Sequence, residues 1–255
     1  MALGLHRMGY ARGSSRARYA VLAVAFAPLA AGAAVSSDAE LFSATVIVTG
    51  RDNLAERSRG VAEALPLALT RLTADPLVAE TAAARGLLSD TGAYVDDLVY
   101  RDRKQGIQIS DEQGTRERSF EMTVRFDVAR VEALLAQLDA KAWTGERPQI
   151  AVSLRITDSR GDYQLAAGSE RGYGQRLAIE AEARALALPV TLVAEAPQQG
   201  VVLAGAMKIT PAGYWNTEWR LTGSGLDEVY AFSDTTFDDA IGGALRRSAK
   251  TLAKR

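Results

Sequence analysis

The amino-acid sequence predicts an α+β protein of two small lobes, each built from an antiparallel-rich sheet backed by helices. Segments that alternate apolar and polar side chains predict half-buried strands, and apolar stripes at helical spacing predict amphipathic helices. The first half of the 255 residues has the order strand, helix, strand, strand, helix, and the second half resembles it. A content of 47% hydrophobic and 24% charged residues is that of a folded globular protein and excludes a disordered or fibrous chain.

Residues 1–33 have the three parts of a secretory signal peptide. Four arginines without an acid come first, an apolar run follows at 19–29, and the small residues Ala31–Ala33 form the cleavage site. The alternative is an uncleaved anchor, but the run is shorter than the roughly 20 residues that cross a bilayer, and Pro28 interrupts it. We therefore expect export to the periplasm by the general secretory route, with no stable membrane anchor after cleavage.

Removal of this segment changes the chemistry available to the chain. The net charge falls from -1 to -5, because the four arginines leave while every acid stays, and His6 leaves with them. Because the sequence contains no cysteine and its one histidine is removed, thiol nucleophiles, Ser-His-Asp triads and zinc sites built on Cys or His are excluded. We expect no metal and no cofactor, and the acidic balance argues against nucleic acid as a partner.

The first lobe is predicted at residues 34–146. Its opening strand, 41–49, is rich in β-branched residues, and Asp52 or Asn53 then caps a helix. The helix has one apolar stripe, and Pro66 within that stripe predicts a kink or a later start. The elements that follow are a weak helical patch, two strands joined by a long polar loop, and a second helix: 77–88, 93–103, 119–126 and 128–138.

The second lobe is predicted at residues 147–255. A polar stretch at 141–148 that contains a Gly and a Pro marks the boundary. A strand at 150–156 is followed by a Gly-rich loop and a helix at 175–186. Four further strands are predicted at 189–193, 201–210, 214–222 and 226–232, and a final helix starts at residue 234 or 235.

Short motifs in a fixed order connect the two lobes to a known family. These motifs are VTG at 48–50, ALTRLT at 68–73, VRFD at 124–127, Trp143, Arg147-Pro148, ARALALP at 183–189, Gly205 and the Trp215–Trp219 strand. In this combination the chain resembles an exported bacterial family, domain of unknown function 2066, over most of residues 41–255. The resemblance implies a bacterial envelope protein, and it brings no activity, ligand or catalytic residue with it.

The turn from the first strand into the first helix is a candidate anion site. Helix N–H groups bind anions, and Arg51, Arg57 and Arg59 lie in or just after the turn. The alternative, which we favour, is a capped turn whose arginines are solvated.

Three tryptophans are candidate interaction residues. Trp215 and Trp219 are four residues apart on a predicted strand and therefore lie on one face, with Thr217 between them. If exposed, they would form a platform for a sugar or a protein; if buried, they are core, and we favour the core. Trp143, beside Arg147-Pro148, fits the junction of the lobes better than a binding site.

The sequence favours a non-catalytic interaction or assembly factor of the envelope, with another envelope protein as its partner. The alternative is a carboxylate-dependent hydrolase that acts on cell-wall or other glycan. Its candidate acids are adjacent pairs, which diverge on a strand or helix: Asp96-Asp97, Asp111-Glu112 and Asp238-Asp239. A third hypothesis is a small-anion-binding module that uses the Gly50–Arg59 turn.

Overall fold

The structure, a computed structural model, describes residues 38–105 and 118–254. The predicted signal peptide at 1–33 and nearly all of the predicted polar loop after residue 105 lie outside the described residues. The described residues all belong to one compact unit. Within it, two antiparallel-rich sheets are backed by helices, so the predicted α+β class is confirmed.

The first lobe is a three-stranded antiparallel sheet with helices on one face. Its strands have the order β1-β3-β2, so β3 is central. The elements are α1 (Asp38–Leu41), β1 (Ser43–Thr49), α2 (Leu54–Thr73), α3 (Ala82–Leu87), β2 (Val95–Asp102), β3 (Ser119–Phe126) and α4 (Val128–Gln137). Two short 3₁₀ segments, Pro76–Glu80 and Leu88–Tyr94, flank α3.

Helix α2 begins at Leu54 and continues through Pro66, so the later start predicted from the proline is wrong. The side chain of Asn53 caps the helix, accepting a hydrogen bond from the Glu56 N–H at 3.2 Å. A proline inside a helix costs roughly 3 kcal/mol. Along the stripe, Leu65 and Leu69 are among several side chains that are fully buried against the sheet. Each such leucine contributes about 1.5–3 kcal/mol, so burial outweighs the proline.

The second lobe is a six-stranded mixed sheet covered on one face by two helices. Its elements are β4 (Ile150–Asp158), β5 (Gly161–Gln164), α5 (Tyr173–Ala185), β6 (Val190–Leu192), β7 (Val201–Ile209), β8 (Trp215–Gly223), β9 (Leu226–Asp234) and α6 (Phe237–Leu252). The strand order is β5-β4-β7-β8-β9, and β6 joins β4 beside β5. The pairs β4–β7 and β4–β6 are parallel, and the others are antiparallel.

Each sheet buries one face under its helices and leaves the other face towards solvent. On β4 the alternate residues from Ile150 to Ile156 are fully buried, and Arg155 between them is exposed. On the open side of the first sheet, Ile47 and Val99 are exposed. The core therefore lies between sheet and helices in each lobe, and the opposite faces carry mainly polar side chains with a few exposed aliphatic ones.

The lobes are joined by backbone groups at the end of α2. The Trp143 N–H donates to the Leu72 carbonyl at 2.7 Å. The Arg147 guanidinium donates to the carbonyls of Arg71 at 2.7 Å and Trp143 at 3.0 Å, and also to that of Leu186, which caps α5. A cation is favourable at the carbonyl ends of two helices. Burial, and then the nearby Arg71, lowers the pKa of Arg147 to about 10, which leaves it charged at neutral pH.

Within the described ranges, no helix combines the length and apolar character that crossing a bilayer requires.

Candidate functional site

A cleft of about 480 Å³ opens in the first lobe between α2, the Leu88–Tyr94 segment and β2. Its volume falls within the roughly 300–1,000 Å³ that binding pockets usually have. Its apolar floor and polar rim are formed by Arg57, Ser58, Val61, Ala62, Leu88, Ser89, Asp90, Thr91, Gly92, Val95 and Leu98.

Local structure explains why these residues meet. Positions 57, 58, 61 and 62 share one face of α2, because residues three or four apart lie side by side on a helix. Opposite them, Asp90 has φ -121° and ψ 74°, which breaks the 3₁₀ run and turns the backbone around the mouth of the cleft. Val95 and Leu98 at the start of β2 complete the floor.

The rim carries one charge of each sign among the described residues that line it, Arg57 and Asp90. The Arg57 Nε donates to the Tyr100 hydroxyl at 3.2 Å, which fixes the guanidinium beside the cleft. Asp90 lies on the exposed opposite rim. Apolar contact in the floor with opposite charges on two sides suits an amphipathic segment better than a simple ion.

The three candidate arginines do not converge. Arg51 and Arg57 both approach Tyr100, and the Arg51 guanidinium carbon is 5.9 Å from the ring centroid. Arg59 turns away and pairs with Glu56 at 2.9 Å and Glu63 at 2.8 Å. Of the three, only Arg57 lines the cleft.

The N-terminal end of α2 already holds a carboxylate from its own chain. Glu56 Oε2 accepts a hydrogen bond from the Thr49 N–H at 3.0 Å and pairs with Arg59. The hydrogen bond from Arg59, and then that from Thr49, lowers the pKa of Glu56. The negative charge that a helix N-terminus favours is thus supplied internally. The turn is capped as we expected, but Arg59 is paired with glutamates and not solvated, and the anion site stays a prediction.

The three candidate tryptophans are spread over the second-lobe core. Trp143 is 9% exposed and Trp219 is 2% exposed, so neither presents a surface to a partner. Trp215 is half-buried and packs edge to face on Phe237, with 6.0 Å between ring centroids. Gly205 on β7 leaves the space for the Trp219 ring, since a Cβ there would lie 2.4 Å from it. Of the three tryptophans, only Trp215 exposes enough of its side chain to contact a partner.

In each acidic pair that the structure describes, one member is engaged locally. Asp97 pairs with Arg125 at 3.2 Å, and Asp239 lies in the first turn of α6, where its carboxylate accepts from Thr236. The Asp111-Glu112 pair lies outside the described residues. In the part of the chain that is described, no group of three or more His, Cys, Asp or Glu side chains could hold a metal ion.

The segment that closes the cleft was missed by the sequence analysis. The predicted helical patch ends at residue 88 and the next predicted strand begins at 93, so residues 89–92 have no predicted element, although Asp90-Thr91-Gly92 is a run of turn-forming residues. That run was the available signal for a break between α3 and β2.

The sequence profile of a domain of unknown function (DUF8605) matches residues 34–144. The match spans the first lobe, including every residue that lines the cleft. No curated protein matches the chain. Residues 34–144 are therefore similar to an uncharacterised domain, and the cleft lies within it.

Proposed function

We propose that this protein is exported to the periplasm and acts there as a non-catalytic interaction or assembly factor whose partner is another envelope protein. The pattern of residues 1–33 supports export, and the region similar to DUF8605 begins directly after it, at residue 34. The finer resemblance, to family 2066, supports the same location and is part of the proposal.

The observation that carries the proposal is the cleft of the first lobe. Its floor is apolar, and Arg57 and Asp90 stand on opposite rims. An extended peptide that places an aliphatic side chain in the floor, with an acid on one side and a base on the other, would satisfy both rim charges. Complementary rim charges of this kind set orientation and specificity more than raw affinity. The proposed occupant is such a segment of the partner.

The cleft fits the alternative hydrolase less well. Glycoside hydrolysis uses two carboxyl groups about 5–10 Å apart. Asp90 is the one acid among the described residues that line the cleft, so a second catalytic carboxyl is missing there.

Site-specific photo-crosslinking in the cells that make the protein tests the proposal. A photoreactive amino acid at Ser89, on the exposed rim, is compared with one at Glu180, on the exposed side of α5 in the other lobe. We expect a defined adduct with one periplasmic protein from position 89 only. Mass spectrometry of the adduct should identify a partner peptide with an aliphatic residue between an acid and a base.

Filling the cleft supplies the matched control. Ala62 lines the cleft and is exposed, so Ala62→Trp fills the cleft without entering the core. We expect this variant to keep its circular dichroism spectrum and lose the Ser89 adduct. An adduct that survives Ala62→Trp, or equal adducts at positions 89 and 180, would contradict the proposal.

Localisation is tested separately, by fractionation and N-terminal sequencing of the protein from those cells. We expect a periplasmic protein that begins at residue 34. A cytoplasmic protein that retains residue 1 would refute the exported location and leave the cleft to be judged by crosslinking.

A further inference from the structure

The edge strands of the two sheets differ in how their free backbone groups are protected. An edge strand presents unpaired N–H and C=O groups that can pair with another strand, and proteins usually block them. In this fold the edges are β1 and β2 in the first sheet, and β9 together with the short strands β5 and β6 in the second.

The free edge of β1 is covered by side chains of α2. Arg71 donates to the Ser43 carbonyl at 2.9 Å, and Arg59 donates to the Ile47 carbonyl at 2.8 Å. As described above, Glu56 accepts from the Thr49 N–H. The helix thus occupies three of the hydrogen-bonding groups that a fourth strand would use.

The other edges are blocked by different means. Strand β2 has a register shift between Val95 and Asp97, and the Asp97 carboxylate takes the Leu98 N–H at 2.8 Å. Such irregularities disrupt pairing with a further strand. Strands β5 and β6 have only four and three residues, and the Gly161 carbonyl on β5 accepts from Arg171 at 2.8 Å.

Strand β9 has none of these protections. Its nine residues pair with β8 in unbroken register, and it contains no proline and no lysine. Among the described residues, no side chain bonds to its backbone. Val229, near its centre, is 72% exposed. The strand is also held firmly on its inner face, where the Tyr230 hydroxyl bonds to Ser248 on α6.

We propose that β9 pairs antiparallel with β9 of a second copy of this chain, across a two-fold axis at Tyr230. This register pairs every residue of the strand and places Val229 opposite Ala231 of the second copy, and Asp227 opposite Ser233. No two acids face each other directly. The two sheets become one continuous sheet, with α6 of each copy on the same face.

Neighbouring registers are less favourable. A two-fold axis at Glu228 sets the two Glu228 carboxylates opposite each other, and an axis at Ala231 sets Glu228 opposite Asp234. Like charges directly opposite are destabilising. An axis at Val229 leaves Ser233 and Asp234 unpaired. The charge pattern and the number of paired residues together select the axis at Tyr230. This inference does not depend on the cleft, which lies in the other lobe.

Sedimentation velocity with charge-swapped variants tests the pairing. We expect the wild-type protein to sediment as a dimer. The double variants Val229→Lys/Ala231→Lys and Val229→Glu/Ala231→Glu should each be monomeric, because each sets like charges opposite each other across the axis. Mixed in equal amounts, the two variants should form a heterodimer, since positions 229 and 231 then carry opposite charges across the axis.

Controls keep the result specific. Ala206→Lys adds a charge to the same open face on β7, away from the edge, and should remain dimeric. Circular dichroism should show that the two double variants are folded. A monomeric wild type, a dimeric Lys/Lys variant, or a mixture that stays monomeric would each overturn the proposed pairing.

Discussion

Arg147→Met should weaken the connection between the lobes and lower the free energy of unfolding. The guanidinium supplies hydrogen bonds to the carbonyls of Arg71, Trp143 and Leu186 and stacks 4.4 Å from the centroid of the Trp143 ring. Methionine keeps an apolar stem of similar length but removes every donor. The carbonyls of Arg71 and Leu186, at the ends of α2 and α5, and the carbonyl of Trp143 then lose a partner that lies partly away from solvent.

The size of the effect follows from opposing contributions. Each carbonyl left without a partner costs about 1–3 kcal/mol where water cannot replace the donor, and the lost stacking adds about 0.5–1 kcal/mol. Against this, the variant no longer has to bury a charge, a cost that the lowered pKa of Arg147 reflects. Because the site is only partly buried, we expect a net loss of about 2–4 kcal/mol.

Urea unfolding followed by tryptophan fluorescence and by circular dichroism measures this loss. Arg147→Lys keeps the charge but not the planar fork, so it should fall between wild type and Arg147→Met. Arg155→Met, on the exposed face of β4, is the matched control and should change stability by less than about 0.5 kcal/mol. If the free energy of unfolding of Arg147→Met lies within about 1 kcal/mol of the wild-type value, the hydrogen bonds only offset the cost of burying the charge. That result would refute the prediction.

Three further substitutions have defined outcomes. Gly205→Ala should lower the free energy of unfolding by about 2 kcal/mol or more, because the new methyl group would overlap the Trp219 ring. The control Gly86→Ala in α3, which has open space around it, should be neutral or stabilising in thermal melts. Thr217→Val should stabilise by about 1 kcal/mol in urea, since the buried hydroxyl lacks a partner among the described residues; an equal gain with Thr217→Ser would contradict this. Burial raises the pKa of Glu182 above 4.5 against the opposing effect of Arg246. The native state therefore binds that proton more tightly than the unfolded state does, and the free energy of unfolding falls as pH rises from 4.5 through the raised pKa. Glu182→Gln should remove this dependence of the free energy of unfolding on pH.

Much of the fold was predictable because side-chain periodicity reports burial. Strand β3 was predicted at the residues where it lies, 119–126, since its alternation is regular. Strand β5 was missed because it is short, polar and follows a turn, so no alternation marks it. The course of α2 through Pro66 depends on how much surface the helix buries, and a local rule about proline cannot supply that quantity.

The candidate site was predictable only in part. The cleft combines two regions that are distant in sequence, and no local pattern shows that residues 57–62 of α2 meet residues 88–98. Arg57 was identified, but for its position near a helix N-terminus and together with Arg59. Residues two apart on a helix point in widely different directions, so their closeness in sequence does not by itself place both side chains at one site. The structure separates them accordingly, towards Tyr100 and towards Glu63.

The contacts by which α2 covers the edge of β1 have a consequence for aggregation of the protein in solution. The covered strand has the sequence SATVIVT, which is uncharged, rich in β-branched residues and free of proline, as amyloid-forming segments are. Two of the three covering contacts come from Arg59 and Glu56, which pair with each other, and the Arg59 side chain is 48% exposed, so salt weakens this cover. Local fraying of the first turns of α2, rather than global unfolding, should therefore set the lag time before fibrils appear. The native state can therefore be thermodynamically stable while the protein still aggregates at the rate at which the N-terminal end of α2 opens.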